Sequence, residues 1–386
     1  MKILSVNLWF EKYGHKTIAQ LKAFSHYNYD TYAATILEED ISLKCEIYKV
    51  DFPGNVLTTI STKAIKKEPF GIAYFAAFRF LYDYAYDNDF DIVYMRRLMS
   101  KIAYAGPHFK HLSGKCALVY EIPTFPFDVP ANFLYALRDK LELLIYKRCR
   151  KHIAVTSTCL YQHGKVSKDW LLFENGIDID NYTHHNVPPL EPVSSEASNK
   201  DNTTVNFLMI ANMQVWHRSE RILYAIKNYS GKYNIHLTVA SPESKEYSDM
   251  KDLAKELSID SLIDFNGFLN IKEIDEIAEN CHLAVGQLSG SEYGVMETHA
   301  IKHKDYCGLS LPMFSTCTDT SFPKDYPYYY FLEDTDADID LAKIIDWYLN
   351  IRNNHPNYRE EMYNHAKDNL QYDGYVKKYL MGRKHL

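Results

Sequence analysis

The sequence predicts an α/β protein made of two doubly wound, Rossmann-like domains. Three observations predict it. Strand-like apolar runs alternate with helix-length amphipathic segments. The alternation occurs twice, once on each side of a stretch rich in Pro, Ser and Asn. A chain of 386 residues is also long for one core and comfortable for two domains of about 150 to 200 residues each.

The first domain is expected over residues 1–183. It opens on the strand "KILSVNL", followed by Gly14 and the apolar-periodic helix "HKTIAQLKAFSHY". The segments "CEIYKVDF", "DIVYMRR", "CALVYEIP" and "HIAVTST" read as further strands, with the helical patterns "FGIAYFAAFRFLYDYAY" and "ANFLYALRDKLELLIYKRCR" between them. Strands separated by helices of this length imply a parallel sheet covered on both faces.

Residues 184–204, "HHNVPPLEPVSSEASNKDNTT", have little to bury and read as an interdomain linker. The second domain is expected over 205–355, with strands "VNFLMIAN", "IHLTVAS", "IDFNGF", "HLAVGQL" and "LPMFST". The helices "SERILYAIKNY", "EYSDMKDLAKELS", "IKEIDEIAENC" and "DIDLAKIIDWYLNIR" alternate with these strands or follow them. Within "ETHAIKHKDYCGLSLPMF", Ala300, Ile301, Tyr306 and Cys307 can line one face of a short helix that Gly308 and Pro312 end. Residues 356–386 close the chain as helices.

Composition narrows the function. Hydrophobic residues at 46% and charged residues at 24% are ordinary for a globular protein. No run of about 18 uncharged apolar residues suggests a membrane span, and "MKILSVNLWFEKYG" lacks the features of a signal peptide. The seven Cys are scattered, without CxxC or metal-ligand spacing, which fits a reduced, cytoplasmic protein. The first 180 residues are slightly basic and the remainder clearly acidic, which argues against a nucleic-acid partner. No HExxH pair, GxSxG elbow or GxxxxGK loop supports a metallohydrolase, serine hydrolase or kinase. Two doubly wound domains leave a cleft at the carboxyl ends of their sheets, where helix N-termini suit anions, so a nucleotide-linked substrate is expected.

Several motifs carry a resemblance. "FENGIDIDNY" (173–182), "IANMQVWHRSERILYAIKNY" (210–229), "IDFNGFLNIKEIDEIAENCHLAVGQL" (263–288) and "IKHKDYCGLSLP" (301–312) occur in that order. They resemble glycosyltransferase family 4, the retaining sugar transferases of the GT-B fold. "YEIPTFPFD" (120–128) is similar to a segment of a bacterial surface-polysaccharide subgroup. The resemblance spans about residues 1–380. It implies a GT-B fold whose C-terminal helices return to the N-terminal domain, and a hexose transferred from a UDP- or GDP-sugar to a growing glycan. No cofactor or metal is implied. The acceptor can be lipid-linked.

The resemblance also assigns roles. Asp305 takes the position that binds the ribose hydroxyls, and a carboxylate suits a vicinal diol because it accepts two hydrogen bonds. Glu297, eight positions earlier, takes that of the acid contacting donor-sugar hydroxyls. Glu292 in "SEYGV" competes with it, having the aromatic-Gly sequence at the wrong spacing. Lys302, one helical turn before Asp305, would neutralise the donor diphosphate. Arg218 and Arg221, beside Trp216 and His217, are further diphosphate candidates. Gly267 belongs to the strand-Gly-helix unit on the donor side. Gly14, Glu121 and Thr124 fall on the acceptor side, Gly14 serving either a close approach of loop to substrate or a plain tight turn.

Other features have simpler readings. "DFD" (89–91) imitates a metal-binding DxD but reads as a strand-entry loop, and "DTDADID" (334–340) imitates an EF-hand start but reads as a helix N-terminus. The basic stretch "RDKLELLIYKRCRKH" (138–152) is read as a core-packed helix with a basic outer face, the other reading being peripheral contact with anionic lipid at the inner face of the cell membrane. A non-catalytic transferase-like subunit and a nucleotide-sugar epimerase on the same fold remain open as alternatives.

Overall fold

A computed structural model of the chain describes residues 1–7, 10–67, 70–96, 116–122, 137, 153–155, 171–172, 174–183, 190, 203–288, 297–333 and 338–383. The chain forms two compact units, Met1–Gly176 with Tyr372–Leu386, and Ile177–Gln371.

In the first unit the described strands are β1 (Lys2–Val6), β2 (Asp30–Glu38), β3 (Ser42–Asp51), β4 (Val56–Lys66), β5 (Ile92–Arg96), β6 (Ala117–Ile122), β7 (Ile153–Val155) and β8 (Leu171–Leu172). Their order across the sheet is β4-β3-β2-β1-β5-β6-β7-β8. Helix α1 (Phe10–Ser25) connects β1 to β2, and α2 (Phe70–Asp87) connects β4 to β5.

The expected all-parallel sheet needs correction. β2 pairs β3, and β3 pairs β4, antiparallel. The connections are too short for anything else, since a parallel return needs a crossover of a dozen residues or more. Between β2 and β3 only Glu39–Ile41 intervene, closed by the Glu39 N–H donating to the Ser42 carbonyl at 2.9 Å. Around β1 the sheet is parallel, with Leu4 beside Tyr32 and Val93.

The pleat sends alternate β1 residues to opposite faces. Leu4 and Val6 join Tyr74, Ala77, Phe78 and Leu81 of α2 in one core. Ile3 joins Leu21 and Phe24 of α1 in the other, with Tyr372, Tyr375, Val376 and Tyr379 from near the chain's end.

The second unit is the parallel sheet the sequence predicts. Its strands are β9 (Thr204–Ile210), β10 (Asn234–Ala240), β11 (Ile263–Gly267), β12 (Leu283–Val285), β13 (Met313–Ser315) and β14 (Tyr329–Phe331), in the order β11-β10-β9-β12-β13-β14. The order reverses at β9, so the switch point lies between the carboxyl ends of β9 and β12.

Helices α3 (Glu220–Asn228), α4 (Lys245–Glu256), α5 (Ile271–Ala278), α6 (Ile301–Gly308), α7 (Leu341–Asn354) and α8 (Tyr358–Asn369) belong to this unit. Their starts follow from capping chemistry. Ser244 Oγ accepts the Tyr247 N–H at 3.1 Å, Asn270 and Glu273 form a capping box, and Asp340 accepts the Lys343 N–H at 3.2 Å. The last of these is the helix N-terminus expected at "DTDADID".

The final helix α9 (Tyr372–Arg383) belongs to the first unit, whereas α8 belongs to the second. The "NGID" turn also divides, because Ile177, Ile179 and Tyr182 lie in the second core.

"DFD" is a strand-entry turn. Asp89 has φ of 54°, and the Asp91 carboxylate accepts the Lys2 N–H at 2.7 Å. Apart from Leu190, Thr203 and Thr204, the expected linker lies outside the described residues. Apart from Leu137, so does the helix expected over 131–150 with its basic stretch. Among the described residues, no helix is long and apolar enough to cross a membrane, and no group of three His, Cys, Asp or Glu side chains could hold a metal.

Candidate functional site

The chemistry-bearing residues of the second unit gather at its switch point. After β9 the chain makes a 3-10 turn at Val215–His217 and passes through Arg218 in the left-handed region, φ 48°. The Leu288 N–H donates to the His217 carbonyl at 3.2 Å, and Arg221 Nη1 donates to the Leu288 carbonyl at 2.8 Å. These bonds tie the loop after β9 to the loop after β12.

Helix α6 is pinned to the same place by Tyr306. Its hydroxyl accepts the Ile210 N–H at 2.7 Å and donates to the Val285 carbonyl at 2.9 Å, bridging the ends of β9 and β12. The expected apolar face holds for Tyr306 and Cys307, which are wholly buried. The helix end differs from expectation. Gly308 is still helical, and the left-handed residue is Ser310, φ 60°. Gly308 serves close packing, since a Cβ there would lie 3.1 Å from the ring of Tyr182.

With α6 held this way, Lys302 carries its ammonium into the interior. Nζ is buried without a hydrogen-bond partner, as is Nδ1 of His217 in the loop after β9. Burial lowers the Lys302 pKa to about 8. Burial also holds His217 well below its usual range, reinforced by Lys302 and His303. The two basic groups lie close enough for Lys302 to act on His217, and neither nitrogen is balanced by a bonded carboxylate.

Asp305 is half-buried, and its Oδ1 accepts the Tyr182 hydroxyl at 2.6 Å. Burial raises its pKa to about 7, against the pull of Tyr182 and Lys304. Glu297 pairs with Thr318 in a short parallel bridge, and its Oε1 lies 3.7 Å from Nε2 of His299.

The remaining candidates scatter. Arg218 Nε donates to Glu220 Oε1 at 2.6 Å. Trp216 is half-exposed, its ring 5.9 Å from that of His217 and nearly perpendicular to it. Gly267, φ 70°, ends the edge strand β11, and its N–H donates to the Tyr247 hydroxyl at 2.8 Å. Glu292 and Thr124 lie outside the described residues.

Gly14 and Glu121 belong to the first unit. Gly14 lies inside α1, not in the loop before it, because the helix already begins at Phe10. Glu121 is wholly buried at the end of β6. Its carboxylate accepts Lys16 Nζ at 2.5 Å and the Tyr94 hydroxyl at 2.6 Å, while Lys16 also donates to Asn175 Oδ1 at 2.7 Å. Sequence reasoning missed Lys16, Tyr182, His303 and Asp319 as partners. His217 had a signal, its place in the "WHR" stretch, whereas the others meet only through the fold.

No protein-family model matches the chain, and neither does any curated protein. Solved structures do. A glycosyltransferase from Rickettsia africae ESF-5 superposes with a TM-score of 0.68 at 13% identity, covering 100% of this chain and 98% of that one. Anabaena Alr3699/HepE in complex with UDP and glucose superposes at 0.66 and 11% identity, covering all of both chains. WaaG, a glycosyltransferase involved in lipopolysaccharide biosynthesis, superposes at 0.63 and 13% identity, covering 99% of each. What this chain shares with them, over its full length, is the GT-B fold of two Rossmann-like α/β units.

Proposed function

We propose that the protein is a glycosyltransferase that moves a hexose from a UDP- or GDP-sugar to a hydroxyl of a growing surface glycan, with retention of anomeric configuration. The observation that carries this reading is the buried, unpaired pair of Lys302 and His217 at the switch point of the second sheet. Burying a cation without a partner is costly, so its persistence there makes sense if an anion completes it. A diphosphate fits, because its negative charge grows as the glycosidic bond breaks and a fixed cation then stabilises the transition state more than the ground state. HepE, which shares the fold, was crystallised with UDP and glucose.

In this reading Lys302 and His217 face the diphosphate, Asp305 the ribose and Glu297 the donor sugar. The displacement is front-face, and the protein contributes positioning and charge stabilisation more than a nucleophile. The protein supplies the neutralising charge, so no metal is called for. The acceptor is a glycan, free or lipid-linked, met in the cytoplasm or at the inner face of the membrane. Thermal unfolding with a panel of nucleotides and nucleotide sugars tests the reading. A ligand at a hundred times its Kd stabilises by about 2.7 kcal/mol, so one nucleoside diphosphate and its sugar conjugate should raise Tm. A panel that leaves Tm unchanged throughout defeats the reading.

A further inference from the structure

His303 has a side-chain arrangement that neither the motifs nor the fold assigns. It lies on α6 directly after Lys302, wholly buried, with Nδ1 3.1 Å from Asp319 Oδ2. Asp319 follows β13 and is itself held in place. Its Oδ1 accepts the Ser321 N–H at 3.0 Å and lies 3.9 Å from Nδ1 of His299. An ionised carboxylate only accepts hydrogen bonds, so Nδ1 of His303 must be the donor, and the dyad fixes both the tautomer and the orientation of the ring.

That leaves Nε2. It is buried and has no hydrogen-bond partner, the same condition as Lys302 Nζ and His217 Nδ1. It looks onto Gly286, the residue after β12, where a Cβ would stand 3.0 Å from Nε2 and 2.8 Å from the Phe314 carbonyl. The end of β12 can therefore pack directly against the imidazole edge only because residue 286 has no side chain. Lys302, His303 and His217 lie close enough for their charges to act on one another, and each carries a buried nitrogen without a partner, as does the neighbouring Lys304.

We propose that His303, oriented by Asp319, is the third nitrogen of this cluster, and that its Nε2–H donates to a phosphoryl oxygen of a nucleoside diphosphate. This rests on the glycosyltransferase reading of the same site and adds a residue to it. In the ligand-free state the neutral ring leaves Nε2 without a proton. Binding brings one proton from solvent to Nε2, and the imidazolium then stands between two anions, Asp319 and the phosphate. The charged and titratable groups facing His303 are Lys302 and Lys304 on its own helix, His217 from the loop after β9, Asp319, and Tyr329 of β14, whose hydroxyl lies 3.5 Å from Nδ1. Asp319 is the one that favours the imidazolium.

Nitrogen NMR of the full chain labelled at histidine tests this, with the His303 ring identified by its loss in His303→Gln, or in His303→Asn if the first variant does not fold. Whichever of UDP or GDP binds, and inorganic pyrophosphate, should convert the His303 nitrogens to the imidazolium pattern, while the corresponding nucleoside leaves them neutral. Asp319→Asn should weaken nucleoside diphosphate binding roughly ten- to a hundredfold, the cost of losing a hydrogen bond to a charged group. His303→Gln, which keeps a donor, should bind better than His303→Ala. A wild-type protein that binds a nucleoside diphosphate while the His303 signals stay neutral overturns this proposal and leaves the glycosyltransferase reading standing. One that binds neither UDP nor GDP overturns both.

Discussion

Lys302 is held in the folded chain at a cost, and the cost has a pH signature. Burial lowers its pKa from 10.5 to about 8, a penalty on the charged form of about 3 kcal/mol by linkage. The penalty is fully present below pH 8, where the ammonium is charged in both folded and unfolded chains, and fades as pH rises toward the unfolded value. Lys302→Met should therefore raise the ligand-free stability at pH 7 by about 2 to 3 kcal/mol, with the gain shrinking above pH 8, as read by urea unfolding across pH. The same variant should lose the ligand-induced rise in Tm. Asp305 runs the opposite way. Its folded pKa is raised to about 7 from 3.8, so its favourable contribution is complete below about pH 4 and is lost as pH rises through 7. Asp305→Asn should gain at least about 1 kcal/mol on wild type at pH 8 relative to pH 4. An unchanged pH profile in the variant would show that the Asp305 carboxyl is well solvated.

Helix α6 shows how far a motif can be read and where the reading stops. Its apolar face and its place before a strand were legible in "AIKHKDYCGLSLP", because periodicity and the Pro stop are local signals. Which residue takes the left-handed position was not legible. Gly308 is the obvious choice by propensity, yet its place is claimed by the Tyr182 ring, and the turn falls on Ser310. Ser310 is wholly buried with an unpartnered hydroxyl, so Ser310→Gly removes both a positive-φ penalty and an orphan donor. It should stabilise the protein by about 1 to 2 kcal/mol, measured by denaturant midpoint at constant m-value; a loss of stability would mean the hydroxyl has a bound partner. Of the hairpin strands, β3 was legible as "CEIYKVDF", while β2 and β4 were missed for a different reason. β4, "VLTTISTKAIK", is exposed along most of its length and so shows no alternation, and β2 begins a few residues after α1 with no Gly or Pro to announce it. Strand periodicity records burial on one face, and on β4 only Ser61 and Ile65 are even partly covered.

At the scale of the molecule, the sequence showed the two α/β units because each repeats the same strand and helix alternation, and it showed the candidate site only in part. Lys302 and Asp305 were visible as a local spacing, whereas His217 was visible only as a neighbour of Arg218. The Asp319 to His303 contact spans 16 positions and the Tyr182 to Asp305 contact 123, separations at which no motif operates. The return of the chain to its first unit had a subtler signal, the run of Tyr372, Tyr375, Val376 and Tyr379 that completes the core beside Ile3 and Phe24. The central claim is that this fold uses the Lys302 cluster to accept the diphosphate of a sugar donor. Release of free UDP or GDP from a panel of nucleotide hexoses, with and without glycolipid acceptor, tests it most directly. The account predicts release from one donor, undiminished by EDTA, and reduced by about a hundredfold or more in Lys302→Met, the usual cost of removing a transition-state charge partner. Release by Lys302→Met at the wild-type rate, or none from any donor by the folded wild-type protein, would contradict it.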